Sequence, residues 1–194
     1  LFLNNDVEII TESWLEEMLQ LCQQKDVGMV GAKLYYPDDT IQHAGVVVGL
    51  GGVAAHVLCK LPRDAEGYMG RLRCVQEISA VTAACMMVKT SVFKAVGGFD
   101  EELKVAFNDI DLCMKVRKYG VKIVFTPYAE LYHYESKSRG MEDTPEKQLR
   151  FSREVNCFRR KWERELLKGD PYYNPNLTLN NTDCSLRKQE KNGD

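Results

Sequence analysis

Polar side chains that are able to bind cations or transfer protons stand at separated places in this sequence of 194 residues. Asp6 ends the run Asn4-Asn5-Asp6, a second acidic run spans 108–111, and His133 precedes a polar segment. Carboxylate and imidazole groups are common ligands of divalent cations and common groups in acid–base catalysis. Each place follows a strand-like segment or opens a helical one, and open α/β sheets bind ligands at the carboxyl ends of their strands. These positions are therefore candidate parts of one site.

Local sequence alone also allows each of these residues a structural role. Asp6 is a suitable turn or helix-cap residue, and acids in a first helical turn cap the helix and complement its dipole, a role that we assign mainly to Asp111. An isolated histidine at a strand end, such as His133, is more commonly structural. His43 and His56 lie within apolar stretches, and we interpret them as structural and assign them no chemistry.

The spacing of apolar residues predicts the elements that position these side chains. A short strand over 1–3 precedes Asp6, and a helix is predicted over about 12–24. Segments 27–35 and 41–49 are predicted to form a hairpin because turn residues lie between them. Residues 54–73 lack a clean period and are predicted to be irregular. The inner stripe predicted for the first helix consists of Trp14, Leu15, Met18, Leu19 and Cys22.

The second half of the chain continues the alternation of strands and helices. An apolar strand lies within 74–89, and a helix over 108–119 ends at Gly120, with Tyr119 among its inward residues. Segment 121–125 is predicted to be a buried strand closed by Pro127, and Thr144-Pro145 starts a long amphipathic helix. This order predicts an α/β fold with an open sheet. The outer face of the last helix is basic and carries Arg150, Arg153, Arg159, Arg160, Lys161 and Arg164.

Composition narrows the class of protein. The length fits one domain, and a net charge of -2 with a pI near 6.0 excludes the strong basic field typical of nucleic-acid binding proteins. The 7 cysteines are scattered without a CxxC pair, so the sequence indicates neither a disulfide framework nor a zinc site. A reducing, cytoplasmic location fits this pattern, and no stretch has the composition of a membrane span.

Six segments carry a resemblance that extends over nearly the whole chain. They are LFLNND, GMVGAKLYYPDDTIQHAGVVVG, VTAACMMVKTSVFKAVGGFDEEL, NDIDLCMKVRKYG, YHYESKSRG and KGDPYYNPNL. In this order and spacing they resemble family 2 glycosyltransferases of the GT-A fold, particularly the bacterial branch with rhamnosyltransferase-like enzymes of surface polysaccharide synthesis. The resemblance implies an open mixed sheet flanked by helices. It also implies that residues 1–170 are the C-terminal catalytic portion of such a domain, without its N-terminal nucleotide-binding strands.

The resemblance implies a cation site and a site for the donor diphosphate. Asp6 stands at the last carboxylate of the family's DxD-like motif, and His133 is expected to help it hold Mg²⁺ or Mn²⁺. Asn4 replaces the first Asp of that motif, so it offers a neutral oxygen where the family has a charge. The residues expected at the donor diphosphate are Asn4, Ser136, Lys137 and Arg139.

The resemblance also implies the base and the acceptor side. Asp109 aligns with the acid expected to act as general base on the acceptor hydroxyl, and Asn108 stands where the family usually has Glu. Residues two apart on a helix point to different faces, so Asp109 and Asp111 cannot both serve. Asp100, in the GGFDE-like turn, and Asn108 are expected on the acceptor side.

The resemblance thus implies an inverting glycosyltransferase, of hexosyl or rhamnosyl type, that acts in cell-surface polysaccharide synthesis. Its expected partners are a nucleotide-sugar donor and a carbohydrate or lipid-linked acceptor, with no nucleic acid. We expect the isolated chain to bind donor weakly and turn over little, and exposed sheet edges favour self-association. The alternatives are a non-catalytic interaction module derived from such an enzyme and a nucleotidyltransferase on a similar sheet.

Two expectations concern surfaces and the tail. The basic face of the last helix is predicted either to be solvated or to contact the inner face of an anionic membrane near a lipid-linked acceptor. Residues 171–194 are predicted to be a C-terminal tail, disordered after about residue 179 because the polar segment has little to bury.

Overall fold

The computed structural model of the protein describes residues 1–135 and 144–188. Its strands are β1 (Phe2–Leu3), β2 (Val7–Ile9), β3 (Val27–Tyr35), β4 (Ile41–His43), β5 (Val46–Val48), β6 (Ala54–His56), β7 (Gln76–Glu77), β8 (Cys85–Val88) and β9 (Lys122–His133). Its helices are α1 (Trp14–Cys22), α2 (Thr90–Ala95), α3 (Asn108–Tyr119), α4 (Pro145–Lys161) and α5 (Glu163–Lys168). Short 3₁₀ turns cover Leu50–Gly52 and Tyr68–Gly70.

A 7-stranded mixed sheet forms the centre of the fold, with the strand order β1-β8-β3-β9-β2. Strand β4 pairs with the end of β3, and β7 pairs with the first half of β9. The long central strands β3 and β9 run parallel to each other, whereas their other pairings are antiparallel. A separate hairpin is formed by β5 and β6. This open mixed sheet with flanking helices confirms the predicted fold class.

The two faces of the sheet bury separate apolar clusters. Alternate residues of β3 point to opposite faces, so Val30 and Leu34 pack with Met18 of α1, while Met29 and Tyr35 belong to the larger cluster on the other face. Because both faces of β3 are covered, all of its side chains are buried. The central strands therefore form a rigid base for the residues that follow their ends.

Two predicted elements match the structure from end to end. Strand β3 spans Val27–Tyr35 and helix α3 spans Asn108–Tyr119, as predicted. Gly120 ends α3 with a left-handed φ of 96°, a conformation that glycine adopts without a steric penalty. The start of α4 is also confirmed, because the Thr144 side chain accepts a hydrogen bond from the backbone N–H of Lys147 at 3.3 Å.

Strand β9 continues through Pro127, so the prediction that this proline closes the strand is wrong. The register between β3 and β9 shifts between the pairs Gly31–Phe125 and Lys33–Glu130, which leaves the proline in a bulge. A proline is tolerated there because the bulged residues do not need to donate to the ladder. The continuous strand carries His133 to the far end of the sheet, beside the turn that follows β1.

The predicted hairpin partner of β3 is divided in two. Strand β4 pairs with β3 only at Leu34 and Tyr35, after which the chain turns away at Gly45, whose φ is 103°. The rest of the apolar stretch forms β5, which pairs with β6. Strand β6 lies at the start of the region that was predicted to be irregular. The turn places His43 and the strand after it over the larger apolar cluster.

Some predicted inward residues are exposed. Leu15 and Leu19 of α1 are 40% and 43% exposed, and Tyr119 of α3 is 56% exposed. Helix α1 is only 9 residues long and packs a narrow stripe formed by Trp14, Met18 and Cys22. Residues one position further round the helix therefore remain at the surface.

The C-terminal segment returns to the domain, which corrects the predicted disorder for residues 180–188. The backbone N–H of Thr178 donates to the carbonyl of Ser185 at 2.8 Å, and that of Leu58 donates to the carbonyl of Thr182 at 2.6 Å. Cys184 is buried. This packing gives the backbone groups hydrogen-bond partners and buries apolar surface, which the polar composition of the segment did not indicate. Residues 189–194 lie outside the described residues. No helix within the described ranges is both long enough and apolar enough to cross a membrane.

Candidate active site

Asp6 and His133 lie next to each other at the start of β2, directly after the first turn of the chain. Strand β2 pairs with the end of β9, with Val7 opposite His133, and the N–H of Tyr134 donates to the carbonyl of Asp6 at 2.9 Å. The Nε2 atom of His133 lies 3.3 Å from Oδ1 of Asp6, and the two side chains are 11% and 13% exposed. Asn4 Nδ2 lies 3.2 Å from the same ring nitrogen. The structure thus brings together the sequence-predicted residues Asn4, Asp6 and His133.

Gln42 sets the orientation of the His133 ring. The side-chain amide of Gln42 donates to the carbonyl of His133 at 3.2 Å and to Oε2 of Glu135 at 3.3 Å. Its oxygen therefore faces Nδ1 of His133, at 2.7 Å. An amide oxygen only accepts hydrogen bonds, so Nδ1 carries the proton and Nε2 presents a lone pair towards Asp6 and Asn4.

This arrangement fits a hydrated divalent cation. Metal-binding histidines usually donate their other ring N–H to an acceptor, as His133 does to Gln42. Oδ1 of Asp6 is buried and has no hydrogen-bond partner among the residues that the structure describes. Neighbouring ligand atoms around Mg²⁺ lie about 3 Å apart, close to the 3.3 Å that separates Oδ1 of Asp6 from Nε2 of His133. Within residues 1–135 and 144–188 no group of three or more acidic, histidine or cysteine side chains is placed to hold a metal, so a cation here needs further ligands from substrate or water.

Asp109 lies at the start of α3 with both carboxylate oxygens engaged. Oδ2 accepts a hydrogen bond from the backbone N–H of Ala83 at 3.1 Å, and Oδ1 accepts one from Ile110 at 2.8 Å. The preceding Asn108 accepts from the N–H of Asp109 at 2.7 Å, and Phe107 has a left-handed φ of 62°. Non-glycine residues held in this region are frequent at functional sites. The carboxylate is therefore fixed in position against the loop before β8.

A cavity of about 290 Å³ is lined by His133 and by Thr82, the residue before Ala83, whose N–H donates to Asp109. Gln42 also lines this cavity, whereas Asp6 and Asp109 are not among its lining residues. Burial lowers the pKa of His56, which also lines the cavity, and the Asp109 carboxylate acts on that pKa in the opposite direction. The complete lining comprises Tyr36, Gln42, Ala55, His56, Cys59, Thr82, His133, Glu135 and Thr182.

Asp111 has a different role from the helix cap predicted for it. Its carboxylate is fully buried and accepts a hydrogen bond from the indole Nε1 of Trp162 at 2.8 Å. It also pairs with Lys161 at 2.8 Å and with Lys115 at 3.3 Å. Asp111 therefore joins α3 to the junction of α4 and α5. Trp162 lies 51 residues further along the chain, so the burial of this acid depends on a contact that is distant in sequence.

The other sequence-predicted site residues are distributed as follows. Asp100 accepts a hydrogen bond from the N–H of Glu102 at 3.0 Å and pairs with Lys161, whose ammonium group lowers the pKa of Asp100. Its assignment to the acceptor side stays a prediction, as does that of Asn108. The residues predicted at the donor diphosphate that lie outside the described residues are Ser136, Lys137 and Arg139.

The basic face predicted on the last helix is partly used within the molecule. Lys161 pairs with Asp100 and Asp111, and Arg159 donates to the carbonyl of Gly52 at 3.1 Å. Such contacts reduce the number of cations available to an external surface.

A sequence model described as "Glycosyltransferase like family 2" matches residues 2–154. The chain belongs to this glycosyltransferase family. The matched range contains Asn4, Asp6, Asp109 and His133, so all of the candidate cation and base residues lie within the family region. The resemblance to family 2 glycosyltransferases that the six sequence segments indicated is confirmed.

Similar curated proteins place the same region inside longer chains. "Uncharacterized protein y4gI" of Sinorhizobium fredii is 58% identical over 94% of this chain and 20% of its own length. "O-antigen biosynthesis protein RfbC" of Myxococcus xanthus is 40% identical over 100% of this chain and 15% of its own. An "N-acetylglucosaminyl-diphospho-decaprenol L-rhamnosyltransferase" of Mycobacterium tuberculosis is 36% identical over 32% of this chain and 20% of its own. The chain therefore spans a fifth or less of these relatives.

Sequence reasoning missed Gln42, His56 and Thr182 as members of the cavity. Gln42 and His56 stand in apolar segments, and their positions follow from strand pairing rather than from a local pattern. Thr182 lies in the segment predicted to be disordered. The one local signal was the pair of polar side chains Gln42-His43 in an otherwise apolar stretch, because buried polar groups need partners.

Proposed function

We propose that this chain supplies the cation-binding and catalytic part of an inverting glycosyltransferase that acts in cell-surface polysaccharide synthesis. The observation that carries the proposal is the Asp6–His133 pair, in which Gln42 orients His133. His133 lines the same cavity as Thr82, next to the residue that donates to Asp109. Family membership supports the reaction class. The donor is a nucleotide sugar, and the acceptor is a carbohydrate or a lipid-linked sugar.

Each residue has a defined role in the proposed reaction. Asp6 and His133 hold Mg²⁺ or Mn²⁺, and Asn4 offers its amide to the donor diphosphate. The bound cation offsets negative charge on the diphosphate. Ser136, Lys137 and Arg139 follow His133 in sequence and are proposed as further diphosphate partners, since hydroxyl and cationic donors suit that leaving group.

Asp109 is the proposed general base. Its carboxylate takes the proton of an acceptor hydroxyl, whose oxygen forms a bond to the anomeric carbon of the donor as the bond from that carbon to the diphosphate oxygen breaks. Attack from the face opposite the leaving group inverts the anomeric configuration. The hydrogen bonds from Ala83 and Ile110 hold the carboxylate in place for this step.

The names of the relatives support the substrate class. One relative is named for O-antigen biosynthesis, and another is named as an L-rhamnosyltransferase acting on a decaprenol-linked sugar. A hexosyl or rhamnosyl donor and a lipid-linked acceptor are therefore proposed here as well. The same proposal places the protein in the cytoplasm, at the inner face of the membrane where such an acceptor is available.

The proposed function is tested with the full product of the gene that encodes this chain. The protein is incubated with Mn²⁺, a panel of nucleotide sugars and a panel of alkyl glycosides, and released nucleoside diphosphate and glycosylated product are measured. We expect transfer with one donor, loss of transfer with EDTA and recovery on addition of Mn²⁺. A folded protein that transfers no sugar in any combination would instead support the non-catalytic interaction module.

Contact with the membrane is tested separately. The protein should sediment with vesicles that contain anionic lipid at low salt and stay in the supernatant at high salt. The reason is that salt screens the attraction between exposed arginines and the lipid headgroups. Equal sedimentation with neutral and anionic vesicles would contradict the peripheral contact and leave the catalytic proposal unchanged.

A further inference from the structure

Gln42 positions two histidines that line the same cavity. Its side chain orients His133, as described above, while its backbone carbonyl lies 3.0 Å from Nδ1 of His56. Strand β4 therefore contributes to two walls of the cavity through a single residue. His133 is accounted for by the proposed cation site, but the proposed reaction gives His56 no role.

The hydrogen bond to Gln42 determines which nitrogen of His56 carries the proton. A carbonyl oxygen only accepts, so Nδ1 of His56 is the protonated nitrogen. A neutral imidazole then has a lone pair on Nε2, and no hydrogen-bond partner for this atom is found among the described residues. Because the ring lines the cavity, His56 offers it a hydrogen-bond acceptor.

His43 fixes the ring from behind. Its Nδ1 lies 3.1 Å from Nδ1 of His56, and the two rings meet edge to face, with centroids 4.9 Å apart and planes at 77°. His43 is fully buried, and within residues 1–135 and 144–188 its buried Nε2 has no hydrogen-bond partner. The two histidines thus form a supported pair in which only the outer ring reaches the cavity, an arrangement suited to holding His56 in one orientation.

The chemistry of the cavity selects the type of ligand that His56 can contact. A bare imidazole nitrogen accepts hydrogen bonds and has nothing to donate, so it does not suit a diphosphate, whose oxygens are also acceptors. A sugar hydroxyl is a donor and does suit it. His56 lines the same cavity as Thr82, and the N–H of the next residue, Ala83, donates to the carboxylate of Asp109. The acceptor nitrogen and the proposed base are therefore linked through this cavity.

We propose that Nε2 of His56 accepts a hydrogen bond from a hydroxyl of the acceptor sugar and so positions that sugar beside Asp109. This inference rests on the proposed glycosyl transfer and adds a residue for recognition of the acceptor. His56 is a binding residue in this proposal, and the proton transfer remains with Asp109.

Two substitutions separate this role from a structural one. His56→Asn keeps an N–H close to the place of Nδ1, where it can still donate to the Gln42 carbonyl, but removes the acceptor at Nε2. His56→Gln places an amide oxygen near the position of Nε2 and gives up the contact with Gln42. Cys74→Ser changes an exposed cysteine that does not line the cavity and serves as the control.

The experiment measures acceptor and donor steps separately in the full gene product. The acceptor probe is the alkyl glycoside that the unmodified protein glycosylates, and donor binding is followed by hydrolysis of the nucleotide sugar in the absence of acceptor. For His56→Asn we expect the KM for the glycoside to rise on the order of tenfold, the effect of one lost hydrogen bond to a buried group. His56→Gln should retain most of the acceptor affinity, and all variants should hydrolyse donor at the unmodified rate.

Each other outcome overturns a defined part of the inference. A normal KM in His56→Asn together with a raised KM in His56→Gln would show that only the contact with Gln42 matters. A loss of donor hydrolysis in His56→Asn would move the residue to the donor side. If the unmodified protein glycosylates none of the alkyl glycosides, the proposed function itself fails, which is distinct from failure of the role of His56.

Discussion

The amide group of Gln42 contacts His133 at two points: it donates to the carbonyl of His133 and accepts from Nδ1 of the same residue. This double contact fixes both the orientation and the tautomer of the imidazole. It leaves Nε2 directed at Asp6, 3.3 Å from the carboxylate. The proposed cation site is therefore prepared by a residue that is not itself a ligand.

Replacing Gln42 should weaken cation binding without removing a ligand. In Gln42→Met the ring loses its orienting acceptor, and we expect the Mn²⁺ concentration needed for half-maximal transfer to rise about 10- to 100-fold, as for other outer partners of metal ligands. Gln42→Glu keeps an acceptor for Nδ1 and should show a smaller rise. Equal Mn²⁺ requirements for Gln42→Met and the unmodified protein would contradict the site.

Asp109→Asn should abolish most transfer while leaving the cation site intact. The amide cannot take a proton from the acceptor, so we expect kcat to fall about 10²- to 10⁴-fold with the Mn²⁺ dependence unchanged. Glu101→Gln is the control. It neutralises an exposed acid in the segment that precedes α3 and should keep full activity. Normal kcat in Asp109→Asn would show that another group is the base.

The bond between Trp162 and Asp111 should contribute to stability rather than to activity. Trp162→Phe removes the donor to a fully buried carboxylate, and we expect the free energy of unfolding to fall by about 1–3 kcal/mol beyond the loss of packing. Trp14→Phe is the matched control because its indole nitrogen has no hydrogen-bond partner among the described residues. Urea denaturation of both variants measures the difference, and equal losses would contradict a role for the hydrogen bond.

Acidification should destabilise the protein through His43. Burial lowers the pKa of His43 well below its ordinary value, and the charges of His56 and His133 act in the same direction. The unfolded chain therefore binds a proton below about pH 6.5 while the folded chain does not, so stability falls as the pH decreases from that value, by up to about 1.4 kcal/mol per pH unit for one group.

The slope of stability against pH tests this prediction. Urea unfolding at pH 7, 6 and 5 should show a smaller dependence on pH in His43→Asn than in the unmodified protein. Part of the slope should remain because burial also lowers the pKa of His56. An unchanged slope would mean that His43 is not the group responsible.

The sequence alone determined those elements whose signals are local. Strand β3 and helix α3 were predicted with their observed bounds, since an apolar run, a helical period and the terminal Gly120 all lie within the segments themselves. The start of α4 at Thr144 followed from the same kind of signal. Asp6, Asp109 and His133 are predicted as site residues because the chain keeps the order and spacing of a family whose model matches residues 2–154.

Only the tertiary structure decided the partners of these residues. His133 reaches Asp6 because β9 continues through a bulge at Pro127, and Gln42 reaches His133 across a separation of 91 residues. His56 lines the cavity because β5 pairs with β6, and Thr182 returns to its wall because its carbonyl accepts from the N–H of Leu58, far away in sequence. Such contacts leave no periodic trace in the chain, because each is stabilised by burial and hydrogen bonds that exist only once the sheet has formed.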